Sequence, residues 1–247
     1  MRFSQAWIVA SKDFAVFTKK RNIIYSIFVV PFLVSFFLPG VIWYTLHEGS
    51  GAISPTELEV LMPALTFFYL ILAGLIPTTI ASYSIVGEKI EKSIEPLLAT
   101  PTTDGEILFG KGFAAFVLPV TSILGGAVIF MGLTDAFTHD VLGYYFFPNW
   151  NAAIVFFLLV PLANVLSVEW NVLVSSRVSD VRIAAQIGSL LLLPYGGVYV
   201  AGELNLIPLG DTNTLLAISG ILAVIVLLLL YVVRATFRRD EILTRWK

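Results

Sequence analysis

Residues 87–111 read GEKIEKSIEPLLATPTTDGEILFGK, the longest charged segment between two hydrophobic runs of this chain. Glu88, Glu91 and Glu95 recur at helical spacing, and Ile90, Ile94, Leu97 and Leu98 recur on another face. The pattern predicts a short amphipathic helix at a membrane surface, with one face free for a partner. Pro96 strains its last turn and Pro101 opposes continuation. Thr103 followed by Glu106 predicts a capping box, and hence a second helix that runs into the next apolar stretch.

The rest of the chain reads as membrane. Of 247 residues, 57% are hydrophobic and 13% charged, and the mean hydropathy is +0.89. Soluble domains carry about 25% charged residues. Spans use up the length, leaving no separate soluble domain of ordinary size. With no cysteine in the sequence, disulfides, thiolate metal sites and thiol catalysis are excluded. The expected fold is all-α: one polytopic domain over 1–247 with six transmembrane helices.

Residues 1–21 lack the unbroken apolar core and cleavage site of a secretory signal. Phe3, Trp7, Ala10, Phe14 and Phe17 recur at spacings of four and three, with Lys12, Lys19 and Lys20 off that stripe. This predicts an amphipathic helix lying in the interface. Spans are expected over about 23–44, 60–86, 112–133, 151–174, 183–200 and 215–233, each near the ~20 residues a crossing needs. Asp135, His139 and Asp140 fall in an expected loop, followed by the aromatic run Tyr144–Trp150, an interfacial belt. Pro194 with Gly196-Gly197 marks the fifth span as one that could break, which leaves 202–213 open to a re-entrant reading. Pro31, Pro39, Pro63, Pro77, Pro119 and Pro161 predict kinks elsewhere.

Every Lys and Arg lies in the N-terminal segment, in the loops after the second and fourth spans, or at the C-terminus. The three opposite connections hold Glu48, Glu57, Glu59, Asp135, Asp140, Glu203 and Asp211 and no basic residue. The positive-inside rule then predicts that both termini and the 87–111 loop are cytoplasmic. The basic tail from Arg234 to Lys247 is explained by topology and anionic lipid, without nucleic acid.

Glu169 is the one acid well inside an expected span. Such residues face a protein interior. Two readings stand: a carboxylate near the inner interface paired with Arg177, Arg182 or a loop lysine, or a gate or substrate contact. The string Gly105-Glu-Ile-Leu-Phe-Gly110-Lys111-Gly112 nearly spells a phosphate-binding loop, but Gly112 stands where Ser or Thr must hold magnesium, and no strand precedes it. His47 and His139 lie in different outer loops at poor metal spacing, and no G-x-S-x-G or H-E-x-x-H motif occurs. The residues give an enzyme reading almost nothing to rest on.

Glu88-Lys89, then Ser93-Ile94-Glu95-Pro96-Leu97-Leu98-Ala99-Thr100-Pro101, then Glu106-Ile107 and Gly110-Lys111 together resemble the cytoplasmic loop of ABC-2 type permeases, the membrane subunits of one class of ABC exporters. The resemblance is strongest from Glu95 to Pro101 and at Gly110-Lys111. It differs at Ile90, where that family carries an acid, and at Lys92-Ser93, where Gly-Thr is common. Ser175-Ser176-Arg177 resembles the family's second short cytoplasmic turn. The resemblance implies an elbow helix before the first span and a coupling helix between the second and third. Its coupling residues would be Glu88, Glu91, Ser93, Glu95, Pro96, Leu97, Leu98, Thr100, Pro101, Gly110 and Lys111. It also implies a dimer of permease chains, homomeric or heteromeric, on two copies of a separate ATPase that carries ATP and magnesium, with no cofactor in this chain. The function implied is export of an amphipathic or lipid-like substrate across the cytoplasmic membrane. A membrane assembly or sensor module binding a cytosolic partner through 87–111 is the alternative. An ion-driven carrier ranks behind both, because it calls for several ionisable groups at mid-membrane.

Overall fold

A backbone inside lipid must satisfy its own polar groups, which leaves an apolar chain like this one the helix. The computed structural model describes residues 3–47, 54–91, 102–204 and 206–236, and among them there is no strand. Helix α1 is Phe3–Lys19 and α2 is Arg21–His47. Helices α3, Pro55–Ile90, and α4, Asp104–Leu142, flank the loop that organised the sequence. Helix α5 is Trp150–Arg177, α6 is Val181–Ser189, α7 is Leu192–Glu203 and α8 is Thr212–Thr236. Six stretches are long and apolar enough to cross a membrane, α6 and α7 together forming the fifth. The chain is a multi-pass membrane protein.

Both helices beside the loop overrun the expected spans. Residues 87–90 do not start a new surface helix but complete α3, so Glu88 and Lys89 belong to its last turn. Gly87 lies inside the helix with the Tyr83 ring packed over it: a Cβ there would lie 2.2 Å from Tyr83 Cε1. The remainder of the expected amphipathic helix, including Ser93, Glu95, Pro96, Leu97, Leu98, Thr100 and Pro101, lies outside the described residues. The capping box forms as read: the Glu106 amide donates to Thr103 Oγ1, and Glu106 accepts from the Thr103 amide. At its far end α4 continues through Asp135, His139 and Asp140, which the sequence assigned to a loop. Nothing there breaks a helix until Gly143, whose φ of 77° makes the left-handed cap. Asp135 still serves the following loop, since its carboxylate accepts from the Phe146 and Phe147 amides.

Prolines mark the irregular places. A π-helical turn, Val155–Leu159, sits just before Pro161. The fifth span breaks at Leu190–Leu191 rather than at Pro194 itself, because Pro194 lacks the N–H that would bond the Leu190 carbonyl. Leu190, Leu191 and Leu193 instead bond carbonyls three residues back.

Helices α3 and α5 form the centre, and they meet along small residues at four-residue spacing: Gly74, Thr78 and Ser82 on α3, Ala163, Ser167, Asn171 and Ser175 on α5. Small residues bring backbones close where no hydrophobic effect drives helices together. Ser167 Oγ donates to the Gly74 carbonyl at 2.6 Å, and Asn171 Nδ2 to Thr78 Oγ1 at 3.2 Å. Interhelical bonds of this kind average about 0.6 kcal/mol in membranes. Tyr69, fully buried, shares a 2.6 Å hydrogen bond with Ser35 of α2 and packs on Phe130 and Phe156.

Candidate functional site: the charged base of the 87–111 loop

Alanine, valine, aspartate and phenylalanine at Ala6, Val9, Ala10, Asp13 and Phe17 fall on one side of α1, and that side is buried. It packs on the start of α4, where Gly110 permits the approach. A Cβ on Gly110 would stand 2.6 Å from the Ala6 carbonyl oxygen and 2.8 Å from Val9 Cβ. The aromatic stripe read from the sequence is turned by about one position from this face. Ala10 and Phe17 are buried, while Phe3 and Trp7 flank it with their rings against Phe109 and Phe113. Helix α1 therefore lies against α4 as well as along the bundle.

Asp13, on that buried face, meets Lys111 at 3.3 Å. Lys111 is 1% exposed and also reaches Glu88 at 3.0 Å and the Ser84 carbonyl at 3.0 Å. Glu88 Oε1 takes Lys12 as well, at 2.6 Å. Two cations and two carboxylates thus balance at the junction of α1, α3 and α4. Burial pushes the Asp13 carboxyl above the ordinary carboxylate value, against the pull of Lys111. Glu88 Oε2 is buried without a hydrogen-bond donor.

A second, more exposed contact lies beside it. Glu91 Oε1 accepts from Tyr83 Oη at 2.7 Å and from Lys20 Nζ at 2.9 Å, while the Lys20 ammonium sits 3.6 Å over the Tyr83 ring. The Tyr83 hydrogen bond, then that of Lys20, holds the Glu91 carboxyl below its ordinary range. Burial lowers Lys20, but its bonds to Tyr83 and Glu91 outweigh this and leave it raised.

The other side of α3 holds the turn after α5. Lys89 Nζ donates to the Ser176 and Val178 carbonyls at 3.0 and 3.2 Å, closing the C-terminus of α5. Ser175 Oγ donates to the Ser82 carbonyl and accepts from the Val86 amide, entering the helical ladder of α3 between residues four apart.

Of the residues singled out in the sequence, Glu88, Gly110 and Lys111 come together, and Glu91 lies alongside. Glu88 does not present itself on a free face with Glu91: it is 7% exposed and engaged by two lysines. Glu169 and Arg177 do not meet. Arg177 is exposed, and neither it nor Arg182 pairs with Glu169 among the described residues. Glu169 instead faces a cavity between α4, α5 and α8 that also holds Arg234. Its position a little over two turns before the end of α5 carries it away from the turn where those arginines sit. Reading the sequence missed Asp13 and Tyr83, and it noted Lys12, Lys20 and Lys89 without foreseeing their contacts. One signal was present: Asp13 is the sole acid before Glu48, in a segment otherwise basic.

Residues 7–205 match the model of a family described as ABC-2 family transporter protein. The chain is also similar to the ABC transporter permease protein NatB of Bacillus subtilis (strain 168), 26% identical over 221 residues. That alignment covers 79% of this chain and 56% of the relative, so the chain spans little more than half of that protein's length.

Proposed function

Because the chain belongs to the ABC-2 family of transporter proteins, we propose that it is the membrane permease subunit of an ATP-binding-cassette exporter. It moves an amphipathic or lipid-like substrate out across the cytoplasmic membrane, powered by ATP and magnesium on a separate ATPase subunit. One observation carries the reading. The two helices that enter and leave the 92–101 segment, α3 and α4, are fixed to each other and to α1 through Lys111, Glu88, Asp13 and Lys12, and α3 to the turn after α5 through Lys89. A push on that segment would be delivered to four helices as one unit, as a coupling element needs. The exposed faces of α2, α6–α7 and α8 are available to lipid and to a second permease copy.

Co-purification from native membranes in mild detergent, with ATP-driven transport in inverted vesicles, tests this. A stoichiometric subunit carrying a phosphate-binding loop, and uptake lost in Glu95→Lys, are expected. Recovery of the chain without an ATPase, and no response to ATP, would favour a membrane assembly or sensor module that uses the same segment.

A further inference from the structure

Helix α8 packs on α5 and hardly touches α4, so a cleft of about 310 Å³ remains between α4 and α8, with α5 as its floor. That volume is at the lower end of the roughly 300–1,000 Å³ of small-ligand sites. No other described helix lines the cleft, so it faces the bilayer rather than the centre of the bundle. Phe109, Phe113 and Phe116 of α4 make its aromatic wall. The rings of Phe3 and Trp7 brace the first two of these from the side of α1. Two charges interrupt the lining, at different depths. Arg234, exposed in the last turn of α8, stands at the end of the bundle rich in lysine and arginine. Glu169 lies about two turns deeper, midway along the phenylalanine wall. The two form no ion pair among the described residues. Glu169 is thus a carboxylate in an apolar cleft with no cation in contact. Its Oε2 is enclosed by the protein without a donor, which leaves Oε1 to meet whatever enters.

An ionisable group inside a span is costly and marks a site or a route rather than packing. Here it selects by sign. An anion in the cleft is repelled by Glu169. A neutral apolar molecule gains the wall but leaves the carboxylate without a partner. An inorganic cation has no use for the wall. A cation with an apolar body takes both: its charge meets Glu169 Oε1 and its hydrocarbon lies along Phe109, Phe113 and Phe116, whose ring faces also attract cations. Arg234 opposes such a ligand only weakly, because Coulomb energy falls with distance and the guanidinium stands at the wetted end. A second positive charge on the ligand would fall on the wall or against Arg234. We propose that this cleft binds a monovalent organic cation with an aromatic or aliphatic body, taken up from the membrane, its charge on Glu169. The site is read from binding alone and does not rest on the transport reading.

The test compares three dyes of similar size and different charge: the cation dimethylaminostyryl-methylpyridinium, the uncharged dimethylaminostilbene and the anion anilinonaphthalene sulfonate. Each is brought to equilibrium by dialysis with the purified protein in detergent and with protein-free micelles, and the saturable difference is the binding. The cation should bind roughly tenfold tighter than the uncharged dye, the change that about 1.4 kcal/mol gives, and the anion should show no saturable binding. Equal binding of the cation and either comparison dye, or no saturable binding of the cation, overturns the proposal with the wild-type chain alone. Glu169→Gln, which keeps the shape of the side chain, should bring the cation down to the affinity of the uncharged dye, at unchanged elution and thermal transition. Unchanged affinity for the cation in that variant overturns the assignment to Glu169. Arg234→Gln, which removes the opposing charge, should tighten the cation about twofold. Weaker binding of the cation in that variant would overturn the reading of Arg234 as a bystander at the mouth of the cleft.

Discussion

Lys111 holds Asp13 and Glu88 at once, and its ammonium is almost wholly out of contact with solvent. Removing one member of a buried charge set strands the others, at a typical cost of about 3–5 kcal/mol. Lys111→Met is therefore expected to lower the thermal transition sharply and to release α1 to proteolysis. Combining it with Asp13→Asn and Glu88→Gln should recover much of the loss, because no carboxylate is then left unpaired. No recovery in the triple variant would mean that Lys111 acts through packing alone. The neighbouring contacts give opposite responses to pH. Glu91 is held below its ordinary value of 4.5, first by Tyr83 and then by Lys20. Its contribution is complete above 4.5 and is lost as pH falls through the lower folded value. Asp13 is raised above 3.8 by burial, so its folded form holds the proton longer and stability declines as pH rises through that raised value. In thermal transitions followed from pH 7 to pH 3, Glu91→Gln should flatten the acid limb, and Asp13→Asn should remove the loss on the rising limb. Superposition of the Glu91→Gln curve on the wild type would exclude the Lys20–Glu91–Tyr83 contact.

Helices show where the sequence was legible. Hydropathy located all six spans, because apolar runs of the right length have one stable form in lipid. It placed their ends less well: Asp135 and His139 stay helical because a polar residue outside the apolar slab costs a helix nothing, and the stop comes at Gly143. The stripe of α1 was found but turned, since periodicity gives a face and not the neighbour that face meets. The seam between α3 and α5 was missed, because Gly74, Thr78, Ser82, Ser167, Asn171 and Ser175 give no amphipathic signal in helices that are apolar all round. The charged base of the loop could be read only in part: Glu88 and Lys111 lie in one motif, whereas Asp13 is distant in sequence and reaches them only once α1 has docked. Ser175 illustrates what the seam does to an element. Its hydroxyl stands between the Ser82 carbonyl and the Val86 amide, and also accepts from the Ile85 amide at 3.2 Å. Ser175→Ala should cost on the order of 1 kcal/mol. Hydrogen exchange at Ile85 and Val86 should then quicken several-fold, while amides near Tyr69 keep their protection. Unchanged protection at Ile85 and Val86 would mean that α3 closes its own ladder without the hydroxyl.

On the scale of the whole chain, the distribution of charge and the packing of the helices make one argument about orientation. The contacts that gather Lys12, Lys20, Lys89 and Lys111 put the ends of α1, α3 and α5 and the start of α4 at one end of the bundle. The opposite end carries Glu59, whose carboxylate accepts from Tyr144 Oη, and Asp211, which caps the start of α8 through Thr214. We propose the orientation that the positive-inside rule favours, with the lysine- and arginine-rich end in the cytoplasm. The proposed coupling role requires the same, since an ATPase reaches the 92–101 segment only from that side. The chain has no cysteine, so single cysteines report orientation without background. Asn213→Cys, exposed in the first turn of α8, should react with a membrane-impermeant maleimide added to intact cells. Ser179→Cys, in the exposed turn between α5 and α6, should react only after the membrane is opened. The reverse pattern would place the charged base outside, and with it would go the coupling role of the loop, whatever the family of the chain.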